Sequence, residues 1–312
     1  MTKFQQWLFN DPQYVGNLTD ASARELDRVR LTAFVGLHLG LALIPLVGVS
    51  WPAVALAVGL YLFRMFLVTG VYHRYFSHRA YRLGRVTQFV FAVLGCTAGQ
   101  RGPLWWAAHH RQHHIESDSD QDPHSPARQG RFYSHCLWFL TKGNFLTPPE
   151  RIRDWLRYPE LVWLERFDWV PLLLLGAACY GFGLWMESAY PALGLTAGQA
   201  FVWGFFVSTV ILYHATYTIN SLAHGWGSRR FDTADDSRNN AWLALITLGE
   251  GWHNNHHYYP ASARQGFYWW EVDITHGVLR LLSWVGITSD LRPVPAGVLE
   301  KGRKQAAEGA QA

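Results

Sequence analysis

The sequence predicts an all-α integral membrane protein with four transmembrane helices arranged as two hairpins. Three observations carry that expectation. Four apolar runs, at about 31–49, 52–72, 169–186 and 198–219, each approach the ~20 residues that cross a hydrocarbon core as a helix. Residues 31–63 and 167–228 contain no Lys or Arg, and stretches this long without a base are rare in soluble domains. The bases cluster on one side of the runs: Arg24, Arg28 and Arg30 before the first, Arg74, Arg79, Arg82 and Arg85 after the second, Arg229, Arg230 and Arg238 after the fourth. The connections Ser50-Trp51-Pro52 and about 187–197 carry none, so the positive-inside rule puts both chain ends in the cytoplasm.

In chain order, residues 1–30 form a polar N-terminal cytoplasmic segment without the apolar stretch of a signal peptide. The domain follows over 31–292, with polar cytoplasmic parts at 73–166 and 220–292. His38 in the first span and His214 in the fourth are expected to be structural, His214 lying ~15 Å along the helix from His224. Arg64, the one base inside an apolar run, is expected near an interface or snorkelling to one. The short apolar run 86–99 is open to three readings: re-entrant, interface-lying, or core of the cytoplasmic part. From Pro293 the chain is rich in Ala, Gly, Lys and Glu, and 293–312 is expected to be disordered.

Composition agrees with this setting. Sixteen Trp and fourteen Tyr suit residues that gather at lipid–water interfaces. Cys96, Cys136 and Cys179 form no CxxC pair and read as free thiols in a reducing compartment. The pI of about 9.0 is accounted for by topology and anionic headgroups rather than by nucleic acid.

Nine histidines stand at metal-ligand spacings: His73 and His78; His110, His113 and His114; His224; and His253, His256 and His257. Two clusters repeat a His followed at plus three and plus four by two more, which on a helix share one face. His73 and His78 are five apart, about 140° on an ideal helix, so a straight helix cannot aim both at one ion. They serve two neighbouring ions, or the helix ends between them. All nine fall on the side of the membrane that carries the bases. Nine nitrogens exceed the needs of one ion and suit two, and the lack of thiolates favours iron over structural zinc. A transporter would carry its ionisable groups in mid-membrane rather than at one edge.

Other polar clusters are weaker. Asp118, Asp120 and Asp122 alternate like a calcium loop, but its sixth position is Pro123 and its twelfth Gln129. His109, His124, His135 and His276 are candidates for orienting a ligand or for packing. His109 is one residue off the pattern and faces elsewhere.

The segments His73-Arg74-Tyr75-Phe76-Ser77-His78, His110-Arg111-Gln112-His113-His114 and His253-Asn254-Asn255-His256-His257 resemble the three histidine boxes of membrane fatty-acid desaturases. More narrowly they resemble the acyl-CoA (stearoyl-CoA, delta-9) branch. Asp122-Pro123-His124, Phe132-Tyr133-Ser134-His135, Asn220-Ser221-Leu222-Ala223-His224 and Gly249-Glu250-Gly251-Trp252 extend the likeness, which covers roughly 30–293.

The resemblance implies four membrane helices with a helical cytoplasmic cap holding a di-iron site. One iron would take His73, His110, His114 and His256, with a water held by Asn220; the other would take His78, His113, His224, His253 and His257. No catalytic residue beyond these ligands is implied. The implied reaction is oxygen-dependent insertion of a cis double bond, at delta-9, into a saturated acyl chain carried as long-chain acyl-CoA. Acyl-lipid and acyl-carrier protein are the alternative carriers, and a related membrane hydroxylase or alkane oxygenase is the second reading. Trp106, Tyr217 and Trp252 are expected to line the substrate tunnel, and Lys142 to meet a CoA phosphate. Ala108-His109 stands where animal relatives carry a basic and an acidic residue.

The chain has no haem motif and no flavin or dinucleotide glycine fingerprint, so a separate donor is expected: a ferredoxin, or a cytochrome-b-type protein with its reductase. Arg229, Arg230 and Arg238 are candidate guides for an acidic donor. The expected location is multi-pass in a membrane among lipids, the inner membrane if bacterial, with no nucleic-acid partner.

Overall fold

The computed structural model describes residues 1–309, and the chain is mostly helical (64%). Short helices at Lys3–Leu8 and Asp20–Ala23 precede α1 (Arg28–Val47), α2 (Trp51–Ser77), the two-residue strand β1 (Arg82–Leu83), α3 (Arg85–Cys96) and α4 (Pro103–Glu116). Then follow α5 (Val170–Ala189), α6 (Ala197–Ser221), α7 (Ala241–Ile246), α8 (His253–Tyr258), α9 (Ile274–Trp284), β2 (Thr288–Ser289) and α10 (Ala296–Gly309). The strands pair antiparallel, Arg82 opposite Ser289 and Leu83 opposite Thr288.

Four helices, α1, α2, α5 and α6, are long and apolar enough to cross a membrane. Each begins where the sequence supplies a cap or a proline. Asp27 accepts from the N–H groups of Val29 and Arg30, both at 3.0 Å. Ser50 accepts from Ala53 N and Thr196 from Gln199 N, while Pro171 occupies the first turn of α5. The most apolar windows of α2 and α6 are 50% and 67% buried, against 11% and 22% for α1 and α5, so α2 and α6 form the inner pair. The outer helices leave Leu39, Leu46, Leu173, Leu174 and Leu184 exposed, an apolar surface that water would penalise. α5 closes on α6 at Gly183, where a Cβ would press into Ala197 and Ala200.

Two expectations change, for Arg64 and for the tail, and the open reading of 86–99 is narrowed. Arg64 does not snorkel: it lies on the inner helix, fully buried, and donates to Leu60 O, Thr97 O, Thr209 Oγ1 and Ser208 Oγ. Those acceptors are offered by α6 and the turn after α3, so turning inward satisfies more N–H groups than reaching outward. The run 86–99 becomes α3, which buries Gln88, Ala92, Gly95 and Cys96 against α2 and leaves Val86 and Val90 exposed.

The tail is not disordered over 296–309. Val294, Val298 and Leu299 pack on Phe231, Phe267 and Tyr268, and Leu299 O accepts from Tyr268 at 2.8 Å. Bulk composition hid that short apolar stripe among good helix formers. Residues 310–312 of the same expectation lie outside the described residues. All three cysteines are free and buried.

Candidate metal centre

The end of α2 sets the first two histidines. It winds as an α-helix to Phe66 and as a π-helix over Leu67–Ser77. Bonding from i to i+5 continues through the C-cap, where His78 N donates to His73 O at 3.2 Å. Residues five apart then lie one turn apart on the same face. His73 and His78 therefore point to one place, their rings 4.9 Å apart, which an α-helical turn would forbid.

The other clusters come from short helices. α4 starts at Pro103, and its free N–H groups at Leu104 and Trp105 donate to Glu165 at 3.2 and 2.9 Å. Its plus-three, plus-four pattern brings His110, His113 and His114 to one face. α8 does the same for His253, His256 and His257, and His224 follows the end of α6.

The nine imidazoles form two groups. In the first, His73, His78, His110, His114 and His256 bring their ligand atoms within 4.8 Å of one another; in the second, His113, His224, His253 and His257 do. The groups touch, with the rings of His114 and His257 4.4 Å apart. Within the first, His78 Nε2 lies 2.8 Å from His110 Nε2, and His73 Nε2 lies 2.9 Å from His256 Nε2. Within the second, His224 Nε2 lies 3.0 Å from His253 Nε2. Grouped by distance, His78 lies with His73, whereas the resemblance implies it for the second iron together with His113.

Four carboxylates fix which nitrogen faces inward. His113 Nδ1 donates to Asp122 at 3.0 Å, His224 Nδ1 to Asp118 at 2.8 Å and His257 Nδ1 to Asp235 at 2.6 Å. His73 Nδ1 donates to Glu250, which also takes Arg74 at 2.9 Å. With its Nδ1 proton so held, each of these rings presents an Nε2 lone pair to the cluster. His257 Nε2 is buried with no hydrogen-bond partner. Lone pairs converging at such distances repel one another unless a cation stands among them. The donor set fits two transition-metal ions of imidazole preference.

Protonation agrees with that fit. Burial, then the neighbouring histidines, holds His78, His110, His114, His253 and His256 well below the usual imidazole range, so these rings are neutral, the form a metal would require. Burial opposes ionisation of Asp118, Asp122 and Asp235, but bonds from His224, His113 and His257 outweigh it and keep all three below the carboxylate range. Sequence reasoning passed over these acids. Asp118 and Asp122 were set aside as a poor calcium loop, although their alternation beside a histidine box is the signal of a ligand-orienting pair. His124 stacks on His113, 4.3 Å between centroids, and is the third member of a smaller group with Asp122.

A cavity of about 230 Å³ reaches the centre. Phe34, Phe139, Trp106, Tyr213 and Tyr217 line it, with His110 and Asn220 at the histidine end. A smaller one of about 40 Å³ shares Trp106, His110 and Asn220 and adds His73, His113 and His253. Trp106 and Tyr217 line the larger cavity, and Asn220 lines both. Trp252 lines neither cavity; its indole N–H donates to Val272 O at 2.9 Å. Lys142 also lies outside both, held by Glu25 at 2.6 Å.

His38, His214 and His135 form a separate chain, with His38 Nε2 to His214 Nε2 and His214 Nδ1 to His135 Nε2 both at 3.0 Å. It ties α1 to α6, the structural role expected of His38 and His214. His109 is buried and donates to Leu146 O at 3.0 Å. Arg230 is no free guide for a donor: its guanidinium pairs with buried Glu271 and lies 4.4 Å over the Tyr268 ring.

The family model for fatty acid desaturase matches residues 49–282. The chain belongs to the fatty acid desaturase family. Among its relatives is delta-9 acyl-lipid desaturase 1 of Arabidopsis thaliana, 35% identical over 273 residues, covering 86% of this chain and 84% of that protein. An sn-2 palmitoyl-lipid 9-desaturase of Nostoc sp. (strain 36) is 35% identical over 268 residues, 84% of this chain and 89% of that one. An acyl-CoA 5-desaturase of Anemone leveillei is 37% identical over 253 residues, 80% and 74% of the two chains. As a desaturase of this family, the chain is an oxidoreductase with a fatty acyl substrate and O2.

Proposed function

We propose that this desaturase introduces a cis double bond at the delta-9 position of a saturated long-chain acyl group. The observation that carries the reading is the continuity of the apolar cavity with the histidine centre at Trp106, His110 and Asn220. Two iron ions held there would activate O2, which with two electrons and two protons removes two hydrogens from adjacent methylenes and is reduced to two waters. The chain's own task is positional. The nine histidines are the proposed iron ligands, and Asn220 is proposed to hold a water. Phe34, Phe139, Tyr213 and Tyr217 exclude water and confine an alkyl chain that has no polar handle of its own.

The protein is read as multi-pass, with the histidine centre and both termini cytoplasmic and electrons from a separate ferredoxin or cytochrome-b-type donor. The charge bias of the connecting segments supports that orientation.

The resemblance points to acyl-CoA as the carrier. One observation favours a lipid ester instead. The charged residues lining the cavity are Arg30, Arg101 and Asp168. Arg30 donates to Phe139 O, Asn144 O and Phe145 O, and Arg101 is paired with Asp168 at 3.0 Å. Arg101 Nη2 alone is buried without a partner, enough for a carbonyl oxygen and too little for the phosphates of CoA.

Fatty-acid profiling of a host expressing the wild type and His256→Ala tests the reaction. A delta-9 monounsaturated product only with the wild type is expected, and a product heavier by one oxygen would sink the reading. Membranes supplied with labelled stearoyl-CoA or with labelled stearoyl phospholipid, acyl exchange blocked, then separate the carriers by which label is desaturated.

A further inference from the structure

A further cavity, of about 360 Å³, shares no lining residue with those at the histidine centre and lies between the end of α2 and the β1–β2 pair. Arg79, Arg82 and Arg292 line it, against one acidic residue, Asp290. The backbone brings them together. Arg292 N donates to Ala80 O at 2.9 Å, and the strand pairing sets 82–83 beside 288–289. Arg79 and Asp290 both have φ of 51°, a left-handed conformation that a long side chain such as that of Arg79 rarely adopts. Strain of this kind persists where the surroundings hold a functional arrangement.

The existing partners are weak competitors. Arg82 and Asp290 form an ion pair at 3.1 Å with side chains 80% and 62% exposed, a kind that contributes little. Arg292 has no side-chain partner among the described residues. Arg79 is held firmly, paired with Asp154 at 3.0 Å and 4.8 Å over the Trp155 ring. The floor is therefore rigid and two cations at the rim are available. Planar guanidiniums converging on a concave site match a tetrahedral, multiply charged oxyanion better than a single carboxylate.

We propose that this cavity binds a phosphate group, presented by an anionic phospholipid or as free phosphate. The neighbouring α3 leaves Val86 and Val90 exposed, apolar side chains suited to a bilayer boundary. The lipid source rests on the membrane reading above; the phosphate chemistry does not.

The test uses the purified full-length protein in a zwitterionic detergent. Inorganic phosphate is titrated calorimetrically, and mixed micelles of phosphatidylglycerol or phosphatidylcholine are offered in native mass spectrometry. Wild type is expected to retain phosphatidylglycerol over phosphatidylcholine, with at least a tenfold loss of retention in Arg82→Gln/Arg292→Gln. Retention of the anionic lipid without phosphate binding assigns the headgroup as the source, and phosphate binding without lipid retention assigns the free anion. Binding of neither probe, or binding unchanged in the double variant, overturns the proposal. Both substitutions are at exposed side chains, and an unchanged melting temperature and iron content in the variant confirm that a loss of binding is local.

Discussion

Asp118 Oδ2 accepts two hydrogen bonds at once, from His224 Nδ1 at 2.8 Å and from the backbone N–H of Asp236 at 2.9 Å. One carboxylate thus fixes the ring beyond the fourth apolar helix and the loop that leads to Asp235, the partner of His257. Asp118→Asn keeps the size but can no longer take both donors as an anion. Metal affinity at the second group should fall about 10–100-fold, as for other orienting partners of ligand histidines. Iron per protein, measured against chelator concentration, checks this; wild-type retention would remove Asp118 from that role.

The two histidine groups differ in membership from the set implied by the resemblance, and double variants decide between them. His78→Ala and His256→Ala act on one group here, so their combination should lose little more iron than either alone. His78→Ala with His257→Ala should empty both groups. Non-additivity of this kind is the mark of residues that share a partner. If His78 behaved instead as a companion of His257, the pattern of the two doubles would be reversed.

Glu250 stands between His73 and buried Arg74, whose guanidinium also reaches Asp273 at 2.9 Å. Glu250→Gln removes one of two counter-charges and should cost about 3 kcal/mol, the scale of breaking a buried pair. The drop in unfolding temperature in detergent measures it. A variant as stable as wild type would mean that Asp273 alone satisfies Arg74.

Burial holds His109 down to about 4 in the folded protein, while an unfolded histidine titrates near 6.5. Between these values the unfolded state binds more protons, so this contribution is complete above about pH 6.5 and is lost as pH falls toward 4. The loss from this one ring approaches about 3 kcal/mol. In chelator-treated protein, His109→Phe should flatten the acid limb of stability against pH while leaving the neutral region lower only by the bond to Leu146. An acid limb of unchanged slope would contradict the assignment.

Gly251 lies where a Cβ would collide with Ala244 N and Asn240 O, backbone atoms that cannot swing aside. Gly251→Ala should therefore displace the turn that delivers His253, lowering iron content and activity together. Full iron loading of that variant would be incompatible with the contact.

The four long helices and the nine histidines were legible because both depend on local pattern: absence of charge over twenty residues, and offsets of three and four. The partners of those histidines were not. Asp235 and Asp118 are 22 and 106 residues from the rings they hold, and only the folded chain brings them there. Arg64 was misread because the acceptors that draw it inward, Ser208 and Thr209, belong to a helix more than a hundred residues away. The pairing of Lys142 with Glu25 and of the Trp252 indole with Val272 O likewise joins residues distant in sequence. α10 was missed because three apolar residues were averaged into a polar tail.

The wide coil over Leu67–Ser77 takes more residues per turn than the regular helix before it. Removing a single residue upstream of His73 would let the coil tighten, and every side chain beyond that point would be rotated off its bearing. The first histidine box is thus tuned by chain count as much as by chemistry. A deletion in the bland apolar stretch before it would dismantle the centre without altering any residue that touches it.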